Sequence, residues 1–515
     1  MFKSKKKLTP VELAEIKKLN NKAFWIAFVI FTLFIIIPAL VISLRIYKKY
    51  LENDAPTLKI IQAPAGFGLA KSKIILEVSD KGAGLDEVVI RATERGVNRT
   101  ILNKRYEFKQ DVYQDRIEVE LSGKSKDKDK NSIFPFKTGK IEVKVFDKSF
   151  WSNSAEASWE YLVDVTAPRI AAYTTQHNGT QGGSELIVYR VEDKNLVESG
   201  IKIRNQYFKG FPLAEYSPEY EKAKNAYFVF YAIPLDFNPR KDIIRLYARD
   251  SAGNEKLAKF KYNTRRVSQT IRNLEISKEF LEKAGRVYEQ YYLAEAETYK
   301  IEDNPNLNLE DKFKLLNTEF LKLTTERIRT LTADTVHAKL WNGSFNQINN
   351  TLSSLYGDKK NFYFNSNPLS SVITKGLEVS LHTGSEVLPL AEGVVVFTGK
   401  LGVYGKAVII DHGFGLSSMY GYLSESYVRA GDSVQRESVL GKSGNSGLAA
   451  GAKLYLAVLV QGQAVSPIEW WDRSWVKDHV LNKLADVKND LGVSNTDEVD
   501  FDWVVIDEEE EELDP

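Results

Sequence analysis

Residues 373–467 read ITKGLEVSLHTGSEVLPLAEGVVVFTGKLGVYGKAVIIDHGFGLSSMYGYLSESYVRAGDSVQRESVLGKSGNSGLAAGAKLYLAVLVQGQAVSP. Short apolar runs alternate there with glycine-containing turns, as in EGVVVFTG and YGKAVIIDHG. Runs of this length, rich in valine and isoleucine and bounded by glycine, are typical of β-strands. The stretch therefore predicts a compact, antiparallel β domain, which we place at residues 341–471.

The order and spacing of these segments resemble the lysostaphin-type (LytM) zinc metalloendopeptidases, which cleave peptidoglycan. The resemblance begins at KLWNGSFNQINN, continues through YGDKKNFYFN and ends at VSP, about a quarter of the chain. Each segment is common by itself, and the order of the segments is the specific signal. The resemblance implies a sheet with a cleft that holds zinc in the active members.

This chain resembles the framework of that family but differs from it at the positions that bind zinc in the active members. Catalytic zinc needs three protein ligands and an open position for water. Active members have an H-x-x-x-D pair, a Y-x-H-L motif and an H-x-H pair. The resemblance aligns Thr374 and Glu378 with the first pair, Tyr422 with the histidine of the second motif, and Lys453 and Tyr455 with the last pair. Only Glu378 stays a plausible ligand, so we predict a catalytically degenerate domain without zinc or another cofactor.

The five histidines offer no replacement ligands at paired spacing; they are His177, His337, His382, His412 and His479. His412 falls at a position that is often histidine in the family without being a ligand. His382 lies four residues after Glu378, and we interpret it as a loop residue. An active endopeptidase that uses Glu378 and His382 in a shifted site stays an alternative.

The same substitutions predict an aromatic lining for the former cleft. Its expected members are Tyr404, Tyr420, Tyr422 and Tyr455. Aromatic faces stack on sugars or hold the apolar side chains of a partner. An ion pair between Lys453 and Glu378 is expected where the metal would lie. Two interpretations stay open, because the side chains either bind a ligand or only fill the vacated space.

Two segments follow the predicted β domain. Residues 474–491 predict one helix. Residues 492–515 form an acidic tail that ends IDEEEEELDP. Such composition favours a solvated segment, although Phe501 and Trp503 within it are suited to docking as an added strand.

Before the β domain, residues 266–335 predict a helical connector. Apolar residues recur at three- and four-residue steps from Ile271 and Leu274 to Tyr291. The pattern breaks near residue 302, and Asn308 is placed to cap a second helix. We expect two antiparallel helices, either a packing collar or an arm that covers the cleft.

An internal repeat precedes the connector. VSDKGAGLDEVV recurs as RVEDKNLVESGI, and KVFDKSF recurs as YARDSAG. The strand rhythm and the length of each copy fit immunoglobulin-like β-sandwiches, at residues 55–165 and 166–265. These modules are interpreted as spacers, with carbohydrate or protein binding as the alternative.

Residues 23–44, AFWIAFVIFTLFIIIPALVISL, are uncharged and long enough to cross a membrane as a helix. Seven lysines precede this segment, and few basic residues follow closely. This bias predicts cytoplasmic residues 1–22 and a body on the other side. An uncleaved anchor is favoured over a signal peptide because the run is long and no A-x-A-like site follows.

Composition sets wider limits. A chain of 515 residues predicts several domains. The 70 basic and 69 acidic side chains give no global positive field, which argues against a nucleic-acid partner. There is no cysteine, which excludes disulfides and thiol chemistry.

Together these features predict a multidomain, mainly β, single-pass protein of a bacterial inner membrane with a periplasmic body. The expected function is a non-catalytic LytM-domain protein that regulates or scaffolds peptidoglycan remodelling. Its expected partners are peptidoglycan, a periplasmic cell-wall hydrolase, or both. The alternatives are a peptidoglycan-binding or envelope adhesion and assembly module, and a divergent but active metalloendopeptidase.

Overall fold

The computed structural model describes residues 10–51, 53–107, 110–299 and 307–490. The chain divides into two compact units. The first contains Met1–Thr166 and Ser251–Asn254, and the second contains Ala167–Asp250 and Glu255–Pro515. The predicted acidic tail at 492–515 lies outside the described residues, as do residues 1–9.

One long helix, Pro10–Tyr50, opens the described chain and continues through Pro38. The predicted span at 23–44 is therefore part of a longer helix. Within its segment Asn20–Arg45, an 18-residue window has a mean hydropathy of 2.9 and is not buried within the molecule. By length and composition this segment is a candidate membrane span.

The first sheet pair, residues 57–163, consists of two sheets around one hydrophobic core. Alternate residues of a strand point inward, as the buried Ile74, Leu76 and Val78 do. In spatial order the three-stranded sheet contains Thr57–Gln62, Ser72–Ser79 and Gln114–Leu121. The five-stranded sheet contains Gly66–Phe67, Ser154–Val163, Thr138–Asp147, Leu85–Glu94 and Val97–Arg105.

The second sheet pair, residues 169–258, has two four-stranded sheets. One contains Phe211–Pro212, Ala226–Ala232, Ser184–Glu192 and Arg169–Ala172. The other contains Gln206–Lys209, Leu196–Ile203, Ile244–Asp250 and Glu255–Ala258. The short helical turns Leu213–Tyr216 and Pro218–Tyr220 and a parallel pair, Asn178–Thr180 with Asn263–Arg265, complete this region. An immunoglobulin-like topology for either sheet pair stays a prediction.

The helical connector begins later than the sequence pattern predicts. Ile271–Glu275 is a strand that pairs in parallel with Lys359–Phe364, so the helical assignment of Ile271 and Leu274 is wrong. Backbone hydrogen bonds to the edge of Lys359–Phe364 stabilise the strand more than the weak local helical preference stabilises a helix. Asn367–Ile373 pairs on the other side of the same small sheet.

Two helices follow that strand and form what we call the helical hairpin, residues 278–331. The first is Lys278–Tyr299. The second contains Leu309–Leu315, a wider π-helical turn at Leu316–Phe320, and Leu321–Leu331. Asn308 caps the second helix by accepting a hydrogen bond from the backbone N–H of Asp311, at 2.8 Å, as predicted.

The terminal sheet has ten strands and forms the framework of the C-terminal domain. Its main path contains Leu352–Ser354, Leu377–Ser380, Lys453–Val460, Leu416–Ser426, Lys406–Gly413, Gly393–Lys400 and Ser433–Val434. Glu386–Val387, Gly441–Ser443 and Gln463–Val465 pair at its sides, and Gly402–Tyr404 is a helical turn. Buried Asp411 ties the end of the hairpin to this sheet, since its carboxylate accepts from Thr335 Oγ1 at 2.9 Å and Val336 N at 2.7 Å.

The chain then packs back on the second sheet pair through Pro467–Trp471 and a helix built from Arg473–Val476, Lys477–Leu481 and Asn482–Asp490. This helix matches the predicted one at 474–491 up to Asp490, the last described residue. Fully buried Trp470 donates to Ser184 Oγ at 3.0 Å. Tyr220 donates to the Leu484 carbonyl at 2.9 Å. These contacts explain why Ser184–Glu192 is buried on both faces.

A buried charge cluster holds this seam together. The side chain of Glu185 is fully buried and lies 2.6 Å from Lys483 Nζ and 3.1 Å from His479 Nδ1. Burial alone would raise the pKa of Glu185, but His479 and Lys483 outweigh that effect and lower it. The carboxylate is therefore held in its charged form.

We predict that Lys483→Met lowers the free energy of unfolding by about 3 kcal/mol, because it leaves the Glu185 carboxylate poorly compensated in the interior. Urea unfolding measures the change. Lys488→Met is the matched control, since its pair with Glu219 is largely exposed and is expected to matter by no more than about 0.5 kcal/mol. Equal unfolding midpoints for the two variants would contradict this account of the seam.

Candidate functional site

Two strands of the terminal sheet bring a carboxylate and an ammonium group together. Glu378 on Leu377–Ser380 lies opposite Tyr455 on Lys453–Val460. Lys453 Nζ lies 2.9 Å from Glu378 Oε2, so the predicted ion pair is present. Lys360, from the neighbouring small sheet, places its Nζ 2.6 Å from Glu378 Oε1. We call this group the Glu378 triad.

The triad is buried, and its charges compensate one another. The side chains of Glu378 and Lys360 are about 10% exposed. Burial alone would raise the pKa of Glu378, but the two ammonium groups lower it below the usual carboxyl value. Burial also lowers the pKa of Lys360, against the attraction of Glu378. Each oxygen of the carboxylate therefore has an ammonium partner.

Three tyrosine rings pack beside the triad. The ring centroids of Tyr404 and Tyr455 are 4.4 Å apart, and those of Tyr422 and Tyr455 are 5.8 Å apart. Tyr455 Oη donates to Tyr404 Oη at 3.4 Å. Burial raises the pKa of all three hydroxyls, which are therefore neutral at physiological pH. We call these residues the tyrosine cluster.

Tyr420 does not join the tyrosine cluster, so its predicted place in the cleft is wrong. Its hydroxyl lies in the opposite core, where it accepts from Leu390 N at 2.6 Å and lies 2.9 Å from Ser418 Oγ. Residues two apart normally share a face of a strand. Here the pairing shifts between Tyr420 and Leu423, and Tyr422 has a left-handed φ of +66°. This bulge turns Tyr420 and Tyr422 to opposite faces.

Thr374 belongs to a polar network beside the triad. Its Oγ1 lies 3.3 Å from Ser354 Oγ, and Ser354 in turn pairs in the sheet with Glu378. Buried Asp358 accepts from Ser354 Oγ at 3.3 Å and from Arg272 Nε at 2.7 Å. Thr374 is therefore committed to a local hydrogen-bonded network.

The helical hairpin covers the tyrosine cluster. Tyr404, Tyr422 and Tyr455 are less than a tenth exposed and share one hydrophobic cluster with both helices. The hairpin residues of that cluster include Leu281, Tyr288, Tyr291, Phe313, Leu316, Phe320 and Ile328. The face that the sequence predicted as a cleft is thus closed by the chain's own helices.

Specific contacts hold the hairpin in place. Lys283 donates to the carbonyls of Asn445 and Ala449, at 2.5 and 2.7 Å. The rings of Phe313 and Phe362 meet edge to face with centroids 5.2 Å apart. Gly402 has a φ of +48°, and a Cβ there would lie 2.3 Å from side-chain atoms of the hairpin. The close approach therefore requires glycine.

The histidines lie apart from the triad. Buried His412 places Nδ1 2.7 Å from the Glu392 carbonyl and Nε2 2.7 Å from Ser418 Oγ, which accounts for both ring nitrogens. The His382 backbone carbonyl accepts a hydrogen bond from the hydroxyl of Ser443. His337 pairs with Glu215. In the part of the chain that the structure describes, no three His, Asp or Glu side chains gather as metal ligands.

A cavity of about 530 Å³ lies in the second unit, away from the triad. Tyr356, Glu469, Trp475 and His479 are among its lining residues. Burial raises the pKa of Glu469 to about 8, and its carboxyl accepts from Ser184 N at 2.8 Å. This cavity belongs to the seam between the second sheet pair and the C-terminal helix.

Comparison with known proteins identifies the class of the terminal domain. Residues 372–467 match the model of Peptidase family M23. These residues therefore form an M23 domain, and the predicted LytM-type domain is confirmed.

Two named proteins are similar to this chain over part of its length. The Murein hydrolase activator EnvC of Escherichia coli is 35% identical over 99 residues, which are 19% of this chain and 24% of that protein. The DD-carboxypeptidase/endopeptidase Mpg of Neisseria meningitidis is 33% identical over 93 residues, 18% of this chain and 21% of that protein. The chain thus matches less than a quarter of the length of either relative.

Among solved structures, the catalytic domain of lysostaphin from Staphylococcus simulans is 19% identical. It covers 24% of this chain and 92% of that domain, with a TM-score of 0.21.

The side chains present do not fit the zinc ion of an M23 peptidase. The resemblance aligns Glu378 with the aspartate ligand, but both of its oxygens accept hydrogen bonds from ammonium groups. Protonated Lys360 and Lys453 have no lone pair to donate and repel a cation. Neutral Tyr455 and hydrogen-bonded Thr374 do not replace the histidine ligands that such a site uses.

Lys360 is the member of the triad that sequence reasoning missed. It lies in the YGDKKNFYFN segment, on a strand where Phe362 and Phe364 follow at two-residue steps. The alternation places Lys360 on the same face as those rings. A buried ammonium group needs a carboxylate partner. A lysine at an inward position of a strand therefore indicates a buried ion pair.

We predict that Glu378→Gln lowers the free energy of unfolding by about 3 kcal/mol at neutral pH, because it leaves two buried ammonium groups without a carboxylate. Chemical unfolding at several pH values measures the effect. Folding lowers the pKa of Glu378. The stability that the charged Glu378 contributes is therefore present at neutral pH and is lost as the pH falls through that lowered pKa.

The control for this prediction is Glu386→Gln, at an exposed position of the same sheet, with an expected change within about 0.5 kcal/mol. A loss for Glu378→Gln that stays constant into strong acid would argue against the ion-pair explanation.

Proposed function

We propose that this chain is a non-catalytic, membrane-anchored M23-domain protein that regulates or scaffolds peptidoglycan remodelling. The proposal rests on the Glu378 triad, in which Lys360 and Lys453 each form an ion pair with one oxygen of Glu378. The resemblance aligns Glu378 with a zinc ligand of the active members. An M23 framework that keeps its sheet and holds ammonium groups at its centre is suited to recognition. It lacks the ligands that would activate water for hydrolysis.

The proposed partner is peptidoglycan or a periplasmic hydrolase that acts on it. The similarity to a murein hydrolase activator supports a regulatory role, and the similarity to the DD-carboxypeptidase/endopeptidase Mpg supports a role on the same class of substrate. Each similarity covers about a fifth of this chain. The remaining four-fifths of the chain would carry anchoring and positioning.

We further propose that the Asn20–Arg45 segment is an uncleaved inner-membrane anchor. The lysines before it favour a cytoplasmic N-terminus and a periplasmic body. Anchoring would keep the M23 domain within reach of the wall that faces the membrane.

The helical hairpin is proposed to gate recognition. The tyrosine cluster is the aromatic surface on the former cleft face, and the hairpin buries it. Release of the hairpin would expose tyrosine rings suited to a partner's apolar side chains or to sugars.

We predict that the purified full chain contains far less than one zinc per molecule and does not cleave muropeptides. Native mass spectrometry measures the metal, and chromatographic analysis of digested cross-linked muropeptides measures cleavage. A zinc metalloendopeptidase with measured activity on the same muropeptides serves as the positive control for both measurements. Stoichiometric zinc together with cleaved cross-links would overturn the non-catalytic proposal.

A second prediction concerns the gate. Phe313→Ala removes a ring that holds the hairpin against Phe362, and we expect it to increase the amount of hydrolase recovered by periplasmic crosslinking. Phe134→Ala is the matched control, because it makes a comparable cavity in the first sheet pair.

Equal recovery with both variants would show that the gate is absent. A purified-wall sedimentation assay is run beside this experiment. Sedimentation with the wall, without any recovered hydrolase, would favour a plain peptidoglycan-binding role.

A further inference from the structure

An exposed aromatic pair marks one end of the first sheet pair. Phe150 and Trp151 are 74% and 58% exposed, in the loop between Thr138–Asp147 and Ser154–Val163. Their rings meet edge to face with centroids 5.2 Å apart. Two adjacent large aromatic side chains held in water indicate an interaction surface.

The loop that presents this pair is well supported. The Asp147 carboxylate accepts from Ser149 Oγ at 2.7 Å and from Asn153 Nδ2 at 2.9 Å. Lys148 donates to the carbonyls of Glu107 and Gln110, at 2.7 and 2.6 Å. A polar base therefore fixes the loop while its two aromatic residues project outward.

The same loop lies next to the chain that leaves the N-terminal helix. Asn153 Nδ2 donates to the Asp54 carbonyl at 3.3 Å. The candidate span ends at Arg45, and the helix continues from there for about 8 Å to Tyr50. Asp54 is four residues after Tyr50, and four residues span at most about 14 Å. The covalent chain thus keeps the loop bound to Asp54 within roughly 20 Å of the exit of the candidate membrane span.

We propose that Phe150 and Trp151 insert into the interfacial layer of the membrane that the N-terminal helix crosses. This inference rests on the proposed anchoring. Aromatic side chains concentrate at that layer, which is about 5–8 Å thick on each side of the hydrocarbon core. The insertion supplies a second attachment point, so the first sheet pair is held in one orientation on the bilayer surface.

Neighbouring residues at this end support a lipid surface as the occupant. Tyr113 is 42% exposed, and its carbonyl accepts from Asp80 N at 2.9 Å. Gly84, four residues after Asp80, accepts from Lys148 N at 2.8 Å, which places these loops together. A tyrosine and an exposed lysine, Lys81, thus accompany the aromatic pair. Amphipathic aromatics with a nearby cation match the headgroup region of an anionic bilayer.

The chain has no cysteine, so one introduced cysteine provides a single labelling site. Full-length Phe150→Cys, Leu44→Cys and Asn98→Cys proteins are each labelled with an environment-sensitive NBD fluorophore. They are reconstituted in vesicles of phosphatidylethanolamine and phosphatidylglycerol. Lipids with a spin label on the headgroup then quench any fluorophore at the interface.

The three positions separate the proposed insertion from the anchoring on which it rests. Leu44 lies in the candidate span and reports anchoring. Asn98 pairs with Thr93 at the opposite end of the five-stranded sheet from Asp147, roughly 30 Å away. We expect strong quenching at positions 44 and 150 and little at 98. Quenching at 44 alone overturns the insertion and leaves the anchor standing, whereas no quenching at either 44 or 150 overturns both.

A second arm excludes attraction of the fluorophore itself to lipid. A label at Lys81→Cys reports the same end of the sheet with Phe150 and Trp151 intact. Adding Phe150→Ser and Trp151→Ser is expected to reduce its quenching to the level of the Asn98→Cys protein. Thermal unfolding is expected to be unchanged, since both rings are exposed. Undiminished quenching at position 81 without the two rings would refute their role in insertion.

Discussion

The C-terminal domain depends on one electrostatic arrangement, a carboxylate held between two ammonium groups. Lys360 and Lys453 carry together the charge that a zinc ion would carry, and Glu378 neutralises part of it. A lone buried charge of either sign would strongly destabilise the fold. Burial of the carboxylate therefore requires the two ammonium groups, and their burial requires the carboxylate. Because the ammonium groups reach Glu378 from two different sheets, the triad also joins the small sheet to the terminal sheet.

The backbone beside the triad contains one strained residue. Tyr422, which the resemblance aligns with a catalytic histidine, adopts a left-handed φ of +66°. A non-glycine residue there costs on the order of 1–3 kcal/mol, which the surrounding sheet must offset. The bulge separates Tyr420, which serves the core, from Tyr422, which packs under the hairpin. The bulge thus determines which of the two tyrosines packs in the core and which packs under the hairpin.

The sequence predicted the M23 framework, the candidate span and the cap at Asn308, since each is encoded by local pattern. It failed where contacts between distant segments decide. Ile271–Glu275 became a strand because an edge 88 residues later in the chain offered hydrogen bonds to it. Lys360 was missed because its inward position on a strand does not identify Glu378, a distant residue in the chain, as its partner. Tyr420 was misplaced because a bulge reverses the alternation on which the prediction relied.

Both ends of the helical hairpin are fastened to the domain that it covers. The strand Ile271–Glu275 pairs beside the terminal sheet before the hairpin, and Thr335 and Val336 bind Asp411 after it. The hairpin therefore acts as a tethered competitor, present at its own binding face at an effective concentration on the order of millimolar. A free ligand of ordinary affinity does not outcompete such a neighbour. Under the proposed anchoring, a partner confined to the same membrane surface would reach comparable local concentrations, so confinement of the partner would be a condition for the proposed recognition.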